Sequence, residues 1–520
     1  MRAMLPFALP PAPSEAGRLA AALPRALAPY RDRPLHIVGV ASLEGAEMAR
    51  FCLACGCSQL VGHDLAPADE VATAFARAHA GLAPRTRAQR WEALATGLRD
   101  LRLGDRYLAG LDEAAVVVPT QAWFLNPRNR PLEALRAAGR PFYSLAQAYL
   151  DCARGPVVGV SGSHGKSTTA ALVARLLSAG PRSGVVRSAG NDRHQTPCLV
   201  EVASGAATDV LVLEISNRQL LQMASAPEVA CLTNLTPNHL DEHNGLDGYV
   251  DAKRRLFSLP GNRVAVRNAD DPISRARCPA ARGAEEWRFA ASETGLEGFD
   301  GAFEIDEEVV VRRHGVWAER VGPGPSGLLG AHNRQNVRAA VATVAAMGRL
   351  ADTAADALAD FQPLRHRIQL VWQAGGVDWV DDLNSTTPQS TVAAVLALGR
   401  RCVLICGGDD KQLAWDELVV LVPSAVRAIV LLPGAGSERI AGALQAAGSA
   451  ARVHRVTGLD QAVALAAEAA RPGEAVLFSP ACPGAFHAFY GSDPGGRGFR
   501  AAVRAIVPAA TSPPRRRAPG

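Results

Sequence analysis

Gly159-Val-Ser-Gly162-Ser-His-Gly165-Lys166-Ser167-Thr168-Thr169 decides the reading of this chain. An apolar run, Pro156 to Val160, precedes it, and a helix-like run, Ala170 to Leu177, follows it. Strand, glycine turn and helix in that order form a phosphate cradle. Glycines let successive backbone N–H groups turn toward one anion, and the helix start adds partial positive charge. Gly162, Ser163, His164 and Gly165 would line the cradle. Lys166 is placed to reach the terminal phosphates of a nucleotide, and Ser167 or Thr168 to hold Mg²⁺. The usual phosphate loop has a further glycine where Val160 stands here, so the motif is the shorter G-x-x-G-K-S-T.

The flanking sequence predicts an α/β chain with three domains. His36 to Val40 reads as a strand, Gly39 to Gly45 as a turn, and Ala46 to Ala54 as a helix. A second strand ends on Asp64, so this segment has the layout of a nucleotide-binding βαβ unit. We expect a peripheral segment over 1–34 and a Rossmann-like domain over 35–154. A central P-loop ATPase-like parallel-sheet domain follows over 155–361. A C-terminal Rossmann-like domain covers 362–507, and 508–520 is a disordered tail. Strands are predicted at Val157 to Val160, Val210 to Ile215 and Val229 to Leu232, then at Val377 to Asp381, Val403 to Cys406, Ala428 to Leu432 and Ala475 to Phe478. Residues 280 to 330 read as a β-rich insertion, and Val337 to Ala346 as a helix.

Composition excludes several classes. The 520 residues are 48% hydrophobic with a net charge of +5, enough apolar material for large cores and too little charge for a nucleic-acid surface. Arg515, Arg516 and Arg517 lie in a Pro-rich tail that reads as solvated. No uninterrupted apolar stretch reaches the ~18 residues of a membrane span. The N-terminus, with early prolines, is a poor secretory signal. Most of the ten cysteines lie in apolar runs, as small hydrophobes do. Cys52, Cys55 and Cys57 cluster without a second Cys/His pair at zinc-finger spacing. The expected setting is the reducing cytoplasm.

Beyond the loop, Glu214 closes an apolar strand, which puts a carboxylate at the ligand-binding edge of a parallel sheet and suits Mg²⁺. His239 follows a strand after a short loop, with Asn238 and Asp241 beside it. Asn333 and Asn336 share one face of a helix start and can pair with adenine edges. Lys411 follows a Gly-Gly turn after a strand, a place to meet the carboxylate of an amino acid.

These segments fall into an ordered set. Leu213-Glu214-Ile-Ser216-Asn217-Arg218-Gln219-Leu220, Asn234 to His243, Tyr249-Val-Asp-Ala-Lys253, His332-Asn333-Arg-Gln-Asn336, Leu364-Arg-His366-Arg367, Gly407 to Lys411 and Ser479-Pro-Ala-Cys482 accompany the phosphate loop. Together they resemble the Mur ligase superfamily over roughly 35 to 505, and the last two resemble its branch that adds glutamate to UDP-N-acetylmuramoyl-alanine. The resemblance implies ATP and two Mg²⁺ ions, with Ser167, Glu214, His239 and a carbamylated Lys253 as metal ligands. It implies catalytic roles for Lys166, Glu214, His239 and Lys253. Arg367 would contact phosphate and Asp382 the ribose, although the residues alone fit a surface equally well. Asp64, Asn191, Ser216, Gln219, Thr386 and Lys411 would bind substrates. The first domain would hold the UDP-linked acceptor, the third the amino acid. The expected partners are these small molecules, with no nucleic acid, no membrane and a monomeric chain.

Departures concentrate at substrate contacts. Pro119-Thr-Gln121 stands where the family has S-P-G, Gly190-Asn191-Asp192-Arg193 where it has G-N-I-G, and Arg218 where it has phenylalanine. Asn384 replaces the lysine of D-S-K-A-T-N, and Gly484 a serine. Two other functions stay open: the same chemistry on another acceptor or amino acid, including L-glutamate, and a non-catalytic nucleotide-binding regulator.

Overall fold

The computed structural model describes residues 19–180, 184–191, 196–237, 242–410, 414–449, 451–482 and 497–507. Its strands form three sheets. The first holds β1 (Leu35–Val38), β2 (Leu60–Asp64), β3 (Asp100–Leu103) and β4 (Val116–Pro119), in the order β3-β2-β1-β4 and parallel throughout. Helix α1 (Leu43–Ala54) follows β1 and is capped by Ser42, whose hydroxyl accepts from Gly45 N. Gly39 (φ 83°) makes the turn between them, and a Cβ on Gly45 would lie 2.2 Å from Gly39 O. Both glycines are therefore required by close backbone approach.

The second sheet has nine strands. They are β5 (Val157–Ser161), β6 (Val186–Gly190), β7 (Val210–Glu214), β8 (Val229–Leu232), β9 (Val264–Asn268), β10 (Glu285–Phe289), β11 (Asp300–Ile305), β12 (Glu308–Arg313) and β13 (Val316–Pro323). The order is β13-β12-β11-β10-β9-β8-β5-β7-β6. Every residue of β5, β7 and β8 is buried. That matches their unbroken apolar sequence, since a parallel strand covered on both faces has no polar side. The stretch expected as a β-rich insertion instead continues this sheet. β10 pairs in parallel with β9, β11 with β10, and antiparallel pairing of β11 with β12 and β12 with β13 finishes the edge. The reason is local: Glu285 N donates to Arg263 O, so pairing with β9 starts at the turn.

The third sheet contains β14 (Gln369–Ala374), β15 (Val377–Asp381), β16 (Cys402–Cys406), β17 (Val426–Leu431), β18 (Arg452–Arg455) and β19 (Ala475–Phe478), in the order β14-β15-β19-β16-β17-β18. Only the β14–β15 pair is antiparallel. The chain divides into two compact units, Met1–Gly324 with Gln335–Phe361, and Pro325–Arg334 with Gln362–Gly520. The first unit holds the first two sheets. They are joined by Glu47 on α1, whose carboxylate accepts from Leu199 N at 2.6 Å and pairs with Arg50, which also pairs with Glu201 at 2.7 Å. No helix among the described residues is long and apolar enough to cross a membrane. All ten cysteines are free thiols, and all but the partly exposed Cys198 are buried as small hydrophobes.

Inside the first sheet, His36 on β1 and His63 on β2 are fully buried and stacked, ring centroids 4.9 Å apart. His63 Nε2 and His36 Nδ1 share a hydrogen bond of 2.9 Å. Burial lowers the pKa of His36 to about 3 and that of His63 to about 4. The fold therefore favours the neutral rings. Their contribution is complete above the unfolded value near 6.5 and is lost as pH falls toward the folded values. Lowering the pH from 6.5 to 5 should cost up to about 2 kcal/mol per ring. We expect the thermal midpoint of the wild type to drop over that interval, and the drop to shrink in His36→Leu. Equal slopes for the two proteins would remove the pair as the cause.

Candidate active site

The phosphate loop leaves the carboxyl end of β5 between β7 and β8. Gly162 (φ 147°) and Gly165 (φ 81°) adopt backbone that side chains disfavour, and Gly165 caps helix α2 (Lys166–Ala179). Space gives a second reason for each. A Cβ on Gly162 would lie 1.9 Å from Thr233 Oγ1, and one on Gly165 2.1 Å from Asn336 Oδ1. The loop is pinned from the other side by the segment after β8. Thr233 Oγ1 donates to His164 O at 2.6 Å, His164 N to Asn234 Oδ1 at 2.9 Å, and Ser163 N to Asn234 O at 2.8 Å. Ser163 Oγ also meets Tyr249 OH at 2.9 Å. Lys166 Nζ donates to the loop carbonyls of Gly162 (3.0 Å) and Ser163 (2.9 Å). Ser167 and Thr168, in the first turn of α2, are buried.

Register places Glu214 beside this loop, because Val160 of β5 pairs with Glu214 of β7. The carboxylate is 3% exposed and its Oε2 is buried without a hydrogen-bond partner. Such an oxygen costs free energy unless a cation or donor meets it. Helix α3 (Asn217–Gln222) begins next to it, with Ser216 and Gln219 forming a capping box. Lys253, on helix α4 (Leu246–Ser258), is 1% exposed and donates to Ser161 Oγ at 2.9 Å. Burial, and then the nearby Lys166 charge, hold its pKa well below the ordinary lysine value. The amine is therefore held toward its neutral, nucleophilic form.

Lys166, Ser167, Thr168, Glu214, Lys253 and Asn336 are thus gathered at one sheet edge of the first unit. Asn336 reaches Thr169 Oγ1 at 3.3 Å. Asn191 follows β6, and its N donates to Glu214 O at 3.0 Å. Asp64 ends β2, where its carboxylate accepts from Ala41 N (2.9 Å) and Ala66 N (3.1 Å). His239 and Lys411 lie outside the described residues. Asn333, Arg367, Asp382 and Thr386 belong to the second unit. Asn333 Nδ2 donates to Leu329 O at 2.8 Å.

In the second unit several motifs converge at the carboxyl ends of β15, β16 and β19. Asp382 accepts from Ile368 N at 3.1 Å and Ser479 Oγ at 2.8 Å. Its burial pushes the pKa up to about 7. His366 Nδ1 contacts Asp381 Oδ2 at 2.8 Å, both fully buried. Gly407 N donates to Pro480 O at 2.8 Å, and Ala481 N to Ser385 O at 2.9 Å. Gly407 (φ 118°) would place a Cβ 2.2 Å from Ser437 Oγ, which explains the glycine before the predicted amino-acid cation.

The Mur ligase middle domain matches residues 160–344, and a second model, described as Mur ligase, glutamate ligase domain, matches 366–482. A UDP-N-acetylmuramoylalanine–D-glutamate ligase of Symbiobacterium thermophilum is 35% identical over 406 residues, 78% of this chain and 87% of that one. The chain belongs to the Mur ligase family. A ligase of the same name from Roseiflexus sp. is 31% identical over 415 residues, with the same shares of 78% and 87%. The fold is like that of the UDP-N-acetylmuramate–alanine ligase of Thermotoga maritima, at a TM-score of 0.55 and 16% identity, covering 86% of this chain and 95% of that one. Mur ligases are ATP-dependent amide ligases that form ADP and phosphate, and this chain is an enzyme of that kind. The family's use of Mg²⁺ fits the residues present: an unsatisfied buried carboxylate oxygen and the Ser167 hydroxyl are hard oxygen donors beside the loop.

Sequence reading did not single out Thr233, Asn234 or Tyr249, although all three stand in or beside quoted motifs. Their signal was there as polar residues directly after the buried β8 and one turn before Lys253. Glu44, which accepts from Gln121 N at 2.6 Å, left no signal. Gly165→Ala combines a disfavoured φ with a clash on Asn336, so nucleotide affinity should fall by ~10–100-fold, the equivalent of local strain of ~1–3 kcal/mol. Calorimetric titration with ADP checks this. Unchanged affinity would show that the loop tolerates a side chain there.

Proposed function

We propose that the chain joins glutamate to the carboxylate of UDP-N-acetylmuramoyl-L-alanine in the cytoplasm, acting as a monomer. The observation that carries this reading is the meeting of the phosphate loop, the open Glu214 oxygen and the buried Lys253 amine at one sheet edge. The names of the relatives supply the substrates. The first sheet is assigned to the acceptor, the second to ATP and the third to the amino acid.

The reaction has two steps. The acceptor carboxylate attacks the γ-phosphorus of ATP, ADP leaves, and an acyl phosphate forms. The amino group of glutamate then attacks the acyl carbon, and phosphate leaves through a tetrahedral intermediate. Negative charge grows on oxygen in both steps, so fixed cations and N–H groups aimed there lower the barrier. Lys166 turns from the loop carbonyls to the β- and γ-phosphates. The backbone N–H groups of Gly162 to Gly165 cradle the phosphates, and Ser167 with Glu214 holds Mg²⁺. Bound there, two magnesium ions supply charge neutralisation on the transferring phosphoryl group and the acceptor carboxylate. Lys253, kept toward its neutral form by burial, would attack carbon dioxide and lose a proton to give a carbamate, whose oxygens with the His239 nitrogen would hold the second magnesium ion. By the family resemblance, Asn333 and Asn336 are assigned to adenine, Arg367 to phosphate and Asp382 to the ribose. Asp64, Asn191, Ser216 and Gln219 orient the acceptor, and Thr386 and Lys411 the amino acid.

A second reading within the same chemistry is a different or less selective choice of amino acid, L-glutamate included. Asn384, in place of the family's lysine, donates to Arg365 O of the segment before β14 at 3.4 Å and brings no cation.

Lys166→Ala should lower turnover at least ~100-fold, as loss of one transition-state donor does, while the thermal midpoint stays near that of wild type. Near-normal phosphate release from the folded variant would remove Lys166 from the site. Lys253→Ala should be inactive, and wild type depleted of bicarbonate should be slow and recover on its return. Full activity of Lys253→Ala would exclude the carbamate. Phosphate release should require ATP, UDP-N-acetylmuramoyl-L-alanine and glutamate together. Release with another acceptor, or preference for a different amino acid, would replace the proposed substrates.

A further inference from the structure

The first sheet reaches the open carboxylate of Glu214 through a chain of side-chain amides. Gln121 follows β4 and uses each of its polar groups. Its backbone N donates to Glu44 Oε2 at 2.6 Å, and its backbone O accepts from Gln222 Nε2 at 2.9 Å. Its side-chain Oε1 accepts from Ser216 Oγ at 2.6 Å, and its Nε2 donates to Asn191 Oδ1 at 3.0 Å. Glu44 is held in turn by Gln219 Nε2 at 3.2 Å.

The order of these bonds has a chemical consequence. An amide has one acceptor end and one donor end, and its partners decide which way it points. Ser216 Oγ already accepts from Gln219 N and donates to Gln121 Oε1, which favours the oxygen at that end of the amide, and the acceptor-only carboxylate of Glu214 favours the same sense at the other end of the chain. The nitrogen of Gln121 then faces Asn191 and fixes its oxygen. The nitrogen of Asn191 is left facing Glu214, where Nδ2 stands 3.5 Å from Oε1. Gly190 makes the approach possible: a Cβ on it would lie 2.0 Å from Glu214 O. One oxygen of Glu214 is thus capped by an N–H, and the other, Oε2, is the one without a protein partner.

We propose that Gln121 is a positioning residue for the metal carboxylate, orienting the Asn191 amide so that Glu214 offers Oε2 to the cation. Were the Asn191 amide reversed, its oxygen would face the carboxylate, and the repulsion would turn Glu214 away from its productive pose. Partners that orient a metal ligand are worth 10–100-fold in metal affinity in other sites. Gln121 stands where the family pattern has a small S-P-G turn, so this chain has its own route to that orientation. The inference rests on the reading of Glu214 as a magnesium ligand.

Mn²⁺ binding, followed by the electron paramagnetic resonance signal of the free ion, tests it on the full chain. Gln121→Met keeps the volume and removes the amide, and should weaken Mn²⁺ binding ~10-fold. Ser216→Ala should cause a smaller loss, since it frees the Gln121 amide to rotate without removing it. Turnover of Gln121→Met should recover as magnesium is raised, which loss of packing alone would not produce. Glu214→Gln is the control. Wild-type Mn²⁺ affinity in Gln121→Met with loss in Glu214→Gln overturns the role given to Gln121. Wild-type affinity in both overturns the reading of Glu214 itself.

Discussion

The site depends on a steric constraint, the closeness with which the backbone of the phosphate loop passes its neighbours. At Gly162 and Gly165 there is no room for a single carbon, because Thr233 stands on one side and Asn336 on the other. This closeness lets Thr233 and Asn234 hold the loop by its own backbone groups. A loop fixed in this way has its N–H groups oriented before any phosphate arrives, which is the form of preorganisation that electrostatic catalysis requires. The same packing places the Lys253 amine beneath the end of β5 and denies it water.

The second unit uses the same geometry with different chemistry. Its glycine turn is held by Ser437, whose Oγ accepts from Gly408 N, and its acid, Asp382, is held by donors from Ile368, Ser385 and Ser479 rather than left open. Burial raises the pKa of Asp382 to about 7, so the carboxyl is held nearer its protonated form than an ordinary aspartate. Buried carboxyls thus stand at strand ends in both units, Glu214 suited to a cation and Asp382 to hydroxyl groups.

Much of this was readable from the chain. The buried strands β5, β7, β8, β16 and β19 announce themselves because they are apolar along their whole length, and their ends locate Ser161, Glu214 and Ser479. Edge strands do not. β3 and β14 are partly exposed, β3 mixing charged and β14 amide side chains with apolar residues, and gave no pattern to read. The helix read as apolar from Val337 starts at Ala331, so the helix start expected at Asn333 and Asn336 is its first turn, where His332-Asn-Arg-Gln-Asn336 has no apolar face to mark it. Site residues inside motifs could be named in advance, but their neighbours could not. Glu44 and Gln121 take their meaning from a hydrogen-bond path between two sheets, and no local spacing encodes such a path.

The order of strands also bears on how the chain acquires its activity during synthesis. β5 lies between β7 and β8, both made after it, and the loop it carries is closed by a contact between Thr169 and Asn336, 167 residues apart. Contacts so distant in sequence form slowly, because the loop-closure entropy precedes any reward. A nascent chain that has emerged only as far as the nine-stranded sheet holds the loop through Thr233 and Asn234 but lacks Asn336, which packs against Gly165. The packing of the loop is therefore complete only once the helix that carries Asn336 has been made.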